Sequence, residues 1–461
     1  MALRPAVRLW TALALLLAAT QPRFCAAKSS QASTAQCNAF SGGLCGTSLI
    51  TSDNGNCVLL RVDLPPAAPR FRMKCWGWGG RGMNGIGAAD YLSDETGGGT
   101  IVYYWNNRGD QPGEMGDDLP FVDLGMDHDG SGSGVAQMSR TGKNVCAIDG
   151  STRELKCFGD PYDMGQLGGG CMVTNCQSET SCCLGSKLQA VKLGTNMRAT
   201  QVAAGGMQTC AIVENRLTLA RGLKCFGRGG YIGYGDTEGR GNSANQMGDA
   251  LPFVSLGTGR HPVQVASGHT HTCVLLDNGD VKCFGSNSNM ALGLAYDSTN
   301  SKIGDQPGEM GDDLPKVDLG EGRTAVQICA SGAFGCAIDD QANLRCWGNH
   351  PGRDSSFYPE LVQVGSGTGA VVQIACGAYN AFHMCALFVD GRVKCWGSNG
   401  SGQLGLGDTN NRGQGSAAEN MGDALPYVDL GTGRTALHVS AGSYHPCALL
   451  DNLQVKCWGS G

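Results

Sequence analysis

Cysteine is the residue type whose number and spacing most clearly indicate chemistry in this chain. The sequence contains 23 cysteines, and many stand in short units such as CVLLDNGDVKCFG from Cys273 and CALFVDGRVKCWG from Cys385. In a secreted protein, thiols at such spacing normally form disulfide bonds. The pattern of two cysteines with Trp-Gly or Phe-Gly after the second predicts these bonds: Cys57–Cys75, Cys146–Cys157, Cys210–Cys225, Cys273–Cys283, Cys336–Cys346, Cys385–Cys395 and Cys447–Cys457.

A β-hairpin is the element that brings the two cysteines of each unit together. The flanks of Asp277–Gly279 alternate as strands do, and a three-residue loop favours a type I turn closed by a residue at positive φ. Gly279 and Gly391 adopt that conformation without steric strain. The turn then places Cys273 directly opposite Cys283, with Cα atoms roughly 4.5 Å apart, which a disulfide accepts. Two other units have Ala342 and Leu453 at the glycine position, which predicts turns that are strained or differently built.

The hairpins recur along the chain at a nearly constant interval. Their first cysteines are 89, 64, 63, 63, 49 and 62 residues apart. The twelve residues GDQPGEMGDDLP occur at 109–120 and again at 304–315, close to three such intervals apart. We therefore interpret this segment as one part of a structural repeat.

Two further strands are predicted in each unit. One is HPVQVASG at 261–268, with relatives from Thr324, Ala370 and Thr435, in which apolar residues alternate with Gln or His. The other is LPYVDLG at 425–431, which belongs at a sheet edge because proline donates no backbone hydrogen bond. Four strands in each of seven units, without helical apolar spacing, predict a β-propeller.

The segment CWGSNGSGQLGLGD from Cys395 resembles the repeat of the regulator of chromosome condensation family. The matching residues are Trp396-Gly397, Asn399 and Gly402–Gly405. The resemblance implies an all-β fold, a seven-bladed β-propeller of four-stranded antiparallel blades, to which the spacing adds hairpin disulfides. The chain also resembles the secreted β-lactamase-inhibitor propeller and the ectodomains of crinkly-type plant receptor kinases.

The N-terminus has the order of a secretory signal peptide. Arg4 and Arg8 precede the apolar run Leu9–Ala19, and a small-residue stretch follows. We expect a signal peptide at 1–27, an N-terminal segment at 28–45 that supplies a closing strand for the last blade unless the natural chain is longer, and the propeller at 46–461. The expected location is the secretory lumen or the extracellular space. An organellar transit peptide is the alternative.

Composition narrows the classes of partner. The formal net charge is −6 and charged residues make up 16% of the chain, so no nucleic-acid partner is expected. The apolar run at the N-terminus is too short to span a bilayer, and no membrane span is expected. We expect a monomer that binds a protein of unknown identity.

Nine cysteines fall outside the hairpins, and eight of them remain after removal of the signal peptide. We predict that Cys37 pairs with Cys45, and that Cys329 pairs with Cys376 between neighbouring blades because the two residues are assigned to opposite strand faces. Cys25 is removed with the signal peptide. Four cysteines in one insertion leave three connectivities open: Cys171, Cys176, Cys182 and Cys183.

The candidate binding surface consists of residues found in single repeats only. Aromatic anchors carry much of the energy of protein interfaces, and the insertion at 170–184 is also specific to one unit. The candidate aromatic residues are Tyr91, Tyr103, Tyr104 and Trp105. The alternative for 103–105 is packing beneath their own loop.

Three other patterns have functional and structural interpretations. The acidic residues Asp110, Glu114, Asp117 and Asp118 offer oxygen ligands for Ca²⁺, but solvated turns beside an edge strand are favoured. The RGD at 108–110 is interpreted as coincidence, because the second copy lacks the arginine. Histidines two residues before a hairpin cysteine form either a metal-binding ring or, as we favour, local hydrogen bonds: His271, His383 and His445.

No nucleophile–base pair, phosphate-binding loop or zinc-ligand spacing is recognised, so no enzyme, metal or cofactor is predicted. The favoured function is a non-catalytic extracellular binding module. Nucleotide exchange on a small GTPase, the founding activity of the family, is one alternative, although disulfides and a signal peptide oppose it. A fragment of a receptor ectodomain is another.

Overall fold

The computed structural model describes residues 44–52, 55–62, 70–77, 84, 108, 114–115, 117–125, 134–159, 164–169, 188–294, 301–351, 356–367, 369–377, 381–413 and 420–460. In this part the chain is all-β, and its only helices are single 3₁₀ turns at Ala244–Gln246, Gly248–Ala250, Ser288–Met290 and Gly422–Ala424. None of these helices is long or apolar enough to cross a membrane. The predicted signal peptide lies outside the described residues.

The described strands form seven small antiparallel sheets, which we number sheet 1 to sheet 7 along the chain. Each begins with three strands joined as a meander. In sheet 1 these are β1 (Leu44–Thr51), β2 (Gly55–Val62) and β3 (Arg70–Gly77). Sheet 2 has β4 (Val135–Arg140), β5 (Asn144–Asp149) and β6 (Leu155–Gly159), and sheet 3 has β7 (Met197–Ala204), β8 (Gln208–Asn215) and β9 (Arg221–Gly227).

Sheets 4 and 5 contain a fourth strand in the described residues, and sheets 6 and 7 contain three. Sheet 4 has β10 (Pro262–Ser267), β11 (His271–Leu276), β12 (Val281–Ser286) and β13 (Lys302–Ile303). Sheet 5 has β14 (Ala325–Ala330), β15 (Phe334–Asp339), β16 (Leu344–Gly348) and β17 (Ser356–Leu361). Sheet 6 has β18 (Val371–Cys376), β19 (His383–Phe388) and β20 (Val393–Gly397), and sheet 7 has β21 (Ala436–Ala441), β22 (Pro446–Leu450) and β23 (Val455–Cys457).

The sheets are arranged in a closed ring. Each sheet packs against the next along the chain, and β1 of sheet 1 packs against β21 and β22 of sheet 7. A ring of small antiparallel sheets is a β-propeller. Leu44 and Cys45 begin β1 and pair with β2, so they add no edge strand to sheet 7. Residues 28–43, which include Cys37, lie outside the described residues.

The aromatic residue after each second cysteine packs against the preceding sheet. Phe226 of sheet 3 lies in one core with Ile148 and Leu155 of sheet 2, and Trp347 of sheet 5 lies with Leu275 and Val281 of sheet 4. The indole N–H of Trp347 donates to the carbonyl of Ala291, at 3.0 Å, in the loop of the preceding unit. The apolar core is therefore divided among the seams between sheets rather than gathered in one centre.

The hairpin turns adopt one conformation whether or not glycine is present. Gly279 and Gly391 have φ of 82° and 81°, while Ala342 and Leu453 have φ of 63° and 67°. All four donate the same backbone hydrogen bond three residues back. The sequence left open whether the two non-glycine turns are strained or differently built, and the structure shows the same turn under strain. A Cβ at Gly279 would also lie 2.6 Å from Cβ of Thr324, so glycine is required there for two reasons.

Replacing Ala342 by glycine is therefore expected to stabilise the protein. A left-handed conformation costs an L-residue roughly 1–2 kcal/mol, which exceeds the added backbone entropy of unfolded glycine, so we expect a gain of about 1 kcal/mol. Chemical denaturation of Ala342→Gly against the parent chain measures it. Ala250, exposed and without positive φ, provides the control, because Ala250→Gly should be slightly destabilising. A loss of stability in Ala342→Gly would contradict the interpretation.

The predicted edge segments do lie beside the third strands, but each bonds at few positions. In six units a valine of the segment donates its backbone N–H to a carbonyl of the third strand, at 2.7–2.8 Å: Val122 to Met73, Val191 to Leu155, Val254 to Leu223, Val317 to Val281, Val362 to Leu344 and Val428 to Val393. Of these six valines, none is part of a regular strand. The proline before each of several valines cannot donate, which explains why the pairing stays short.

Candidate functional site at the mouth of the central channel

A β-bulge interrupts the first strand of every sheet at the same position. The register shifts between Ala325 and Gln327 in sheet 5, and the equivalent shift occurs in the six other sheets. A bulge places two residues opposite one and breaks the alternation of faces. Val326 is accordingly 56% exposed although Ile328 is 3% exposed. The face assignment used to predict the Cys329–Cys376 pair assumed unbroken alternation and is wrong in that detail.

The residue after the bulge is a glutamine in five sheets, and its side chain connects neighbouring sheets. The amide of Gln264 donates to the carbonyl of Ile328 at 3.0 Å, and its oxygen accepts from the N–H of Ile328 at 2.9 Å. Gln137 bonds Val202 and Gln373 bonds Val439 in the same two ways. For Gln201 and Gln327, one such bond forms with the next sheet. A glutamine side chain therefore extends the backbone hydrogen bonding across each of the five seams between sheet 2 and sheet 7.

Ring closure between sheet 7 and sheet 1 uses different side chains. His438 takes the place of glutamine, and the hydroxyl of Ser440 accepts from the backbone N–H of Thr51 at 2.9 Å. Further out, Nε2 of His445 donates to the amide oxygen of Asn56 at 2.8 Å. The seam between sheet 7 and sheet 1 thus has side-chain hydrogen bonds in addition to the apolar contacts of Leu49 and Leu60 with Cys447.

The first strands enclose a cavity of about 300 Å³ that opens at one end of the channel. Residues of all seven sheets line it, among them Gln137, Gln201, Gln264, Arg140, His269 and Cys329. We call the end where the first and second strands connect the channel mouth. Because the sheets are antiparallel meanders, the third strand also ends on this side.

Two exposed aromatic residues stand at the channel mouth on neighbouring sheets. Phe382 precedes His383, the first residue of β19, and Tyr444 precedes His445, which lies just before β22. The two aromatic residues are 44% and 45% exposed. The equivalent residue is Thr270 in sheet 4 and Ala333 in sheet 5. Neither residue was predicted from the sequence, although each stands directly before a histidine of the repeat.

Basic residues of sheets 2 and 4 line the same cavity. The guanidinium of Arg140 is buried and donates to the hydroxyl of Ser52 and the carbonyl of Asn56, which connects sheet 2 to sheet 1. Burial, together with the charge of Lys143, lowers the pKa of His269 to about 4, so this imidazole is neutral at ordinary pH.

The three histidines for which a metal-binding ring was the less favoured interpretation lie in the seams between sheets. His271 and His383 are fully buried and His445 is 7% exposed. Burial lowers their pKa values to about 4, about 3 and about 4, with further lowering from His269, His445 and Arg140 respectively. His445 makes a hydrogen bond to the neighbouring sheet, as described above. In the described residues these histidines belong to no group of three ligand atoms close enough to hold a metal ion.

The second copy of the repeated segment is a structural clamp. The Glu309 carboxylate accepts from three backbone N–H groups, those of Gly304, Asp305 and Gln306. Asp312 accepts from the N–H and the hydroxyl of Thr258, at 2.8 and 2.6 Å, in the preceding unit. These hydrogen bonds lower the pKa of Asp312. Asp249 with Thr195 and Asp423 with Ser366 repeat the arrangement.

A lysine completes the same clamp. The residue before the second hairpin cysteine is lysine in six units, and Lys224 donates to the carbonyls of Leu193 and Gly248, at 2.7 and 3.0 Å. Lys394 bonds Val364 and Gly422 in the same way. Burial lowers the pKa of Lys224, and the charge of Asp249 opposes that effect. The clamp uses Glu309 and Asp312, the second-copy equivalents of Glu114 and Asp117 in the calcium hypothesis.

The first copy of the segment is described only in part. Glu114 forms an ion pair of 3.4 Å with Arg108, whose backbone bonds Gly77 in both directions. Asp117 and Asp118 lie in a turn before the edge segment, while Asp110, and with it the RGD, lies outside the described residues.

The structure contains the seven hairpin sulfur bonds at the pairs given by the spacing. Their Cα atoms are 4.0–4.1 Å apart, at directly opposed positions of the second and third strands. Cys329 of β14 is bonded to Cys376 of β18, with Cα atoms 6.0 Å apart. The insertion cysteines lie outside the described residues, and Cys45 is described only as part of β1.

The aromatic residues proposed for binding also lie outside the described residues: Tyr91, Tyr103, Tyr104 and Trp105. Their segment, 78–107, leaves the third strand of sheet 1 after Gly77 and ends at Arg108, which is bonded to Gly77. The insertion at 170–184 likewise follows the third strand of sheet 2.

Family models match the C-terminal half of the chain. The regulator of chromosome condensation (RCC1) repeat matches residues 263–289 and 371–403, and a second model of that description matches residues 390–449. These segments of the chain carry the RCC1 repeat. The matched segments include the Trp396-Gly397 and Gly402–Gly405 residues on which the resemblance was recognised.

Similar curated proteins share the repeat but differ in size. Human E3 ubiquitin-protein ligase HERC2 is 27% identical over 274 residues, which cover 58% of this chain and 5% of HERC2. Protein pim1 of Schizosaccharomyces pombe is 25% identical over 58% of this chain and 47% of its own length. RCC1 domain-containing protein RUG3, mitochondrial, of Arabidopsis thaliana is 26% identical over 55% and 53%. The chain thus spans about half of two of these relatives and a small part of the third.

Two solved structures support the fold. Human WBSCR16 superimposes with a TM-score of 0.58 at 15% identity, covering 86% of this chain and 85% of its own. Prp20p of Saccharomyces cerevisiae gives a TM-score of 0.56 at 13% identity, covering 90% and 82%. At these identities the similarity concerns the β-propeller fold alone.

Proposed function

We propose that this RCC1-repeat propeller is a non-catalytic extracellular module that binds a protein partner at the channel mouth. The observation that carries the proposal is that Phe382 and Tyr444 are exposed at equivalent positions of two neighbouring sheets of the ring. Aromatic side chains supply large contact area at low entropic cost and are enriched where interfaces are strongest.

The blade architecture that we propose is seven blades of four strands. Seven sheets close the ring, two of them with four strands, and six edge segments bond to third strands through a valine. In sheet 7, Lys456 and Cys457 of the third strand are exposed, as expected for a strand at the edge of a sheet. We propose residues 1–27 as a signal peptide, 28–45 as an N-terminal segment and 46–461 as the propeller.

The bonded cysteines support an oxidising compartment. Eight sulfur bonds join described residues, one within each sheet and one between sheets. Bonds of this number persist in secreted proteins and are rare in reducing cytosol. Nucleotide exchange on a cytosolic or nuclear GTPase therefore fits less well. Prp20p, described with binding properties to Gsp1p and histones, supports protein binding as a use of this fold, not a particular partner.

Site-specific photo-crosslinking tests the binding face. A photoreactive amino acid replaces Tyr444 in one variant and Leu217 in another, because Leu217 is 76% exposed in a hairpin loop at the opposite end of the sheets. The full chain is expressed through the secretory pathway and irradiated with cells of the source tissue. Adducts from the Tyr444 position but not from the Leu217 position are expected.

Adducts from Leu217 alone would reject the binding face. Loss of the Tyr444 adduct when Phe382→Ala is added would support the aromatic pair as the anchor. Retention of the full chain in the cytosol with reduced cysteines would reject the extracellular module and favour the exchange alternative.

A further inference from the structure

Four cysteines of two neighbouring sheets form one cluster. Cys329 and Cys376 join sheet 5 to sheet 6, and Cys336 and Cys346 join two strands within sheet 5. Cys329 is the direct cross-strand partner of Cys336. The Sγ atoms of Cys329, Cys336 and Cys376 all lie within 4.8 Å of one another. Two disulfides are therefore in contact through three of their four sulfur atoms.

The two disulfides differ in access. Cys329 and Cys376 are half-buried and line the cavity of the central channel, so a small molecule in the channel meets them first. Cys336 and Cys346 have no exposed surface. Since thiol–disulfide exchange requires a thiolate to reach sulfur, the bond between the sheets is open to an external thiol and the hairpin bond behind it is not.

We infer that this cluster is a thiol-exchange site, in which a small thiol entering the channel opens the bond between the sheets and the buried hairpin bond then rearranges. The thiolate of the small molecule attacks one sulfur of the Cys329–Cys376 bond. It forms a mixed disulfide with that cysteine and releases the other as a thiolate.

The released thiolate lies within 4.8 Å of Sγ of Cys336, whichever of the two cysteines carries it. Its electron pair forms a new bond to Cys336, and Cys346 leaves as a thiolate that takes a proton from water. The number of disulfides stays constant, because one small thiol ends in the mixed disulfide and one protein thiol ends at Cys346. An accessible bond in the channel thereby controls a bond that solvent does not reach.

Sheet 7 provides a comparison within the same molecule. Its hairpin bond joins Cys447 to the exposed Cys457, so a small thiol also reaches this bond. Among the described residues, no cysteine of another disulfide belongs to a sulfur cluster with this pair. Opening this bond should leave its own two cysteines modified. Fully buried hairpin bonds, such as Cys273–Cys283 and Cys385–Cys395, should remain closed.

Limited exchange with glutathione tests the inference. The folded full chain is treated briefly with reduced glutathione, quenched with acid, denatured and alkylated with N-ethylmaleimide, and its peptides are mapped without reduction. We expect glutathione on Cys329 or Cys376 and maleimide on Cys346, at a level at least about tenfold above Cys283 and Cys395. We expect glutathione and maleimide on Cys447 and Cys457 themselves.

Maleimide on Cys329 or Cys376 with an intact Cys336–Cys346 bond would overturn the inference, as would equal labelling of Cys395 and Cys346. A variant with Cys336→Ala and Cys346→Ala removes the acceptor, and its expected label is on Cys329 or Cys376. If that variant does not fold, the comparison of Cys346 with Cys395 in the parent chain still decides the outcome.

Discussion

Acidification from pH 7 to pH 5 is expected to destabilise the protein by roughly 6 kcal/mol through His271, His383 and His445. Each has an ordinary pKa of 6.5 that burial lowers to about 4, about 3 and about 4 in the folded protein. The unfolded chain therefore takes up protons first as the pH falls below 6.5. Each histidine contributes about 2 kcal/mol to the loss at pH 5. Above pH 7 these groups should cause no pH dependence.

Urea denaturation at a series of pH values measures this effect, and the chain supplies its own control. Phe334 of sheet 5 occupies the position of His383 in sheet 6, so a phenylalanine fits this place in the repeat. His383→Phe should remove about 2 kcal/mol of the loss between pH 7 and pH 5 while the fold is retained, and His269 and His438, whose pKa values burial lowers to about 4, add to that loss in both chains. A pH profile identical to that of the parent chain would show that His383 is not held neutral by burial.

Three aspartates cause a second loss of stability at lower pH. The carboxyls of Asp249, Asp312 and Asp423 have lowered pKa values because Thr or Ser of the preceding unit donates two hydrogen bonds to each. Their stabilising contribution is present above the ordinary pKa of 3.8 and is lost as the pH falls through the lowered value. These carboxyls therefore do not change the stability of the protein between pH 7 and pH 5.

Complete reduction of the disulfides is expected to abolish the fold. A disulfide that closes a loop of ten residues contributes about 3 kcal/mol, chiefly by restricting the unfolded chain. Seven hairpin bonds then contribute roughly 20 kcal/mol, more than the net stability of most domains. After denaturation and reduction, the chain should not regain the fluorescence of the buried Trp347 and Trp396 while the reductant is present.

Removing one disulfide at a time measures the contribution of a single bond to stability. The pairs Cys385–Cys395 and Cys447–Cys457 close loops of the same sequence separation, 10 residues, but the first is buried and the second has one exposed member. Replacing either pair by alanine should lower the free energy of unfolding by about 3 kcal/mol. The decrease should be larger for the buried pair, because its replacement leaves a cavity. A reduced chain that kept its fold with every cysteine alkylated would contradict this account.

Sequence alone determined the local features of this protein. The spacing of Cys273 and Cys283 around a three-residue turn sets the hairpin register, because strand pairing next to a short turn is fixed by the turn itself. The recurrence of that unit gave the family and the all-β class. The interval between units also identified the twin segments as repeated parts.

Only the tertiary structure showed what lies between the units. Glutamine after a bulge, lysine before a cysteine and aspartate before an edge segment look like ordinary polar positions in the sequence. Gln264, Lys224 and Asp312 bond backbone or side-chain groups outside their own strand and hairpin. The local sequence pattern does not reveal those partners, because the stacking of the sheets brings them close.

The candidate site divides in the same way. The aromatic segment at 103–105 was chosen because it is unique to one repeat, whereas only the structure shows that Phe382 and Tyr444 are exposed and lie on neighbouring sheets. The contact of Cys329 with Cys336 likewise depends on the register of two strands, and that with Cys376 on a neighbouring sheet. Residue type and spacing fixed each hairpin because its contacts are local. The seams, the channel mouth and the sulfur cluster came from packing, because their members are distant along the chain.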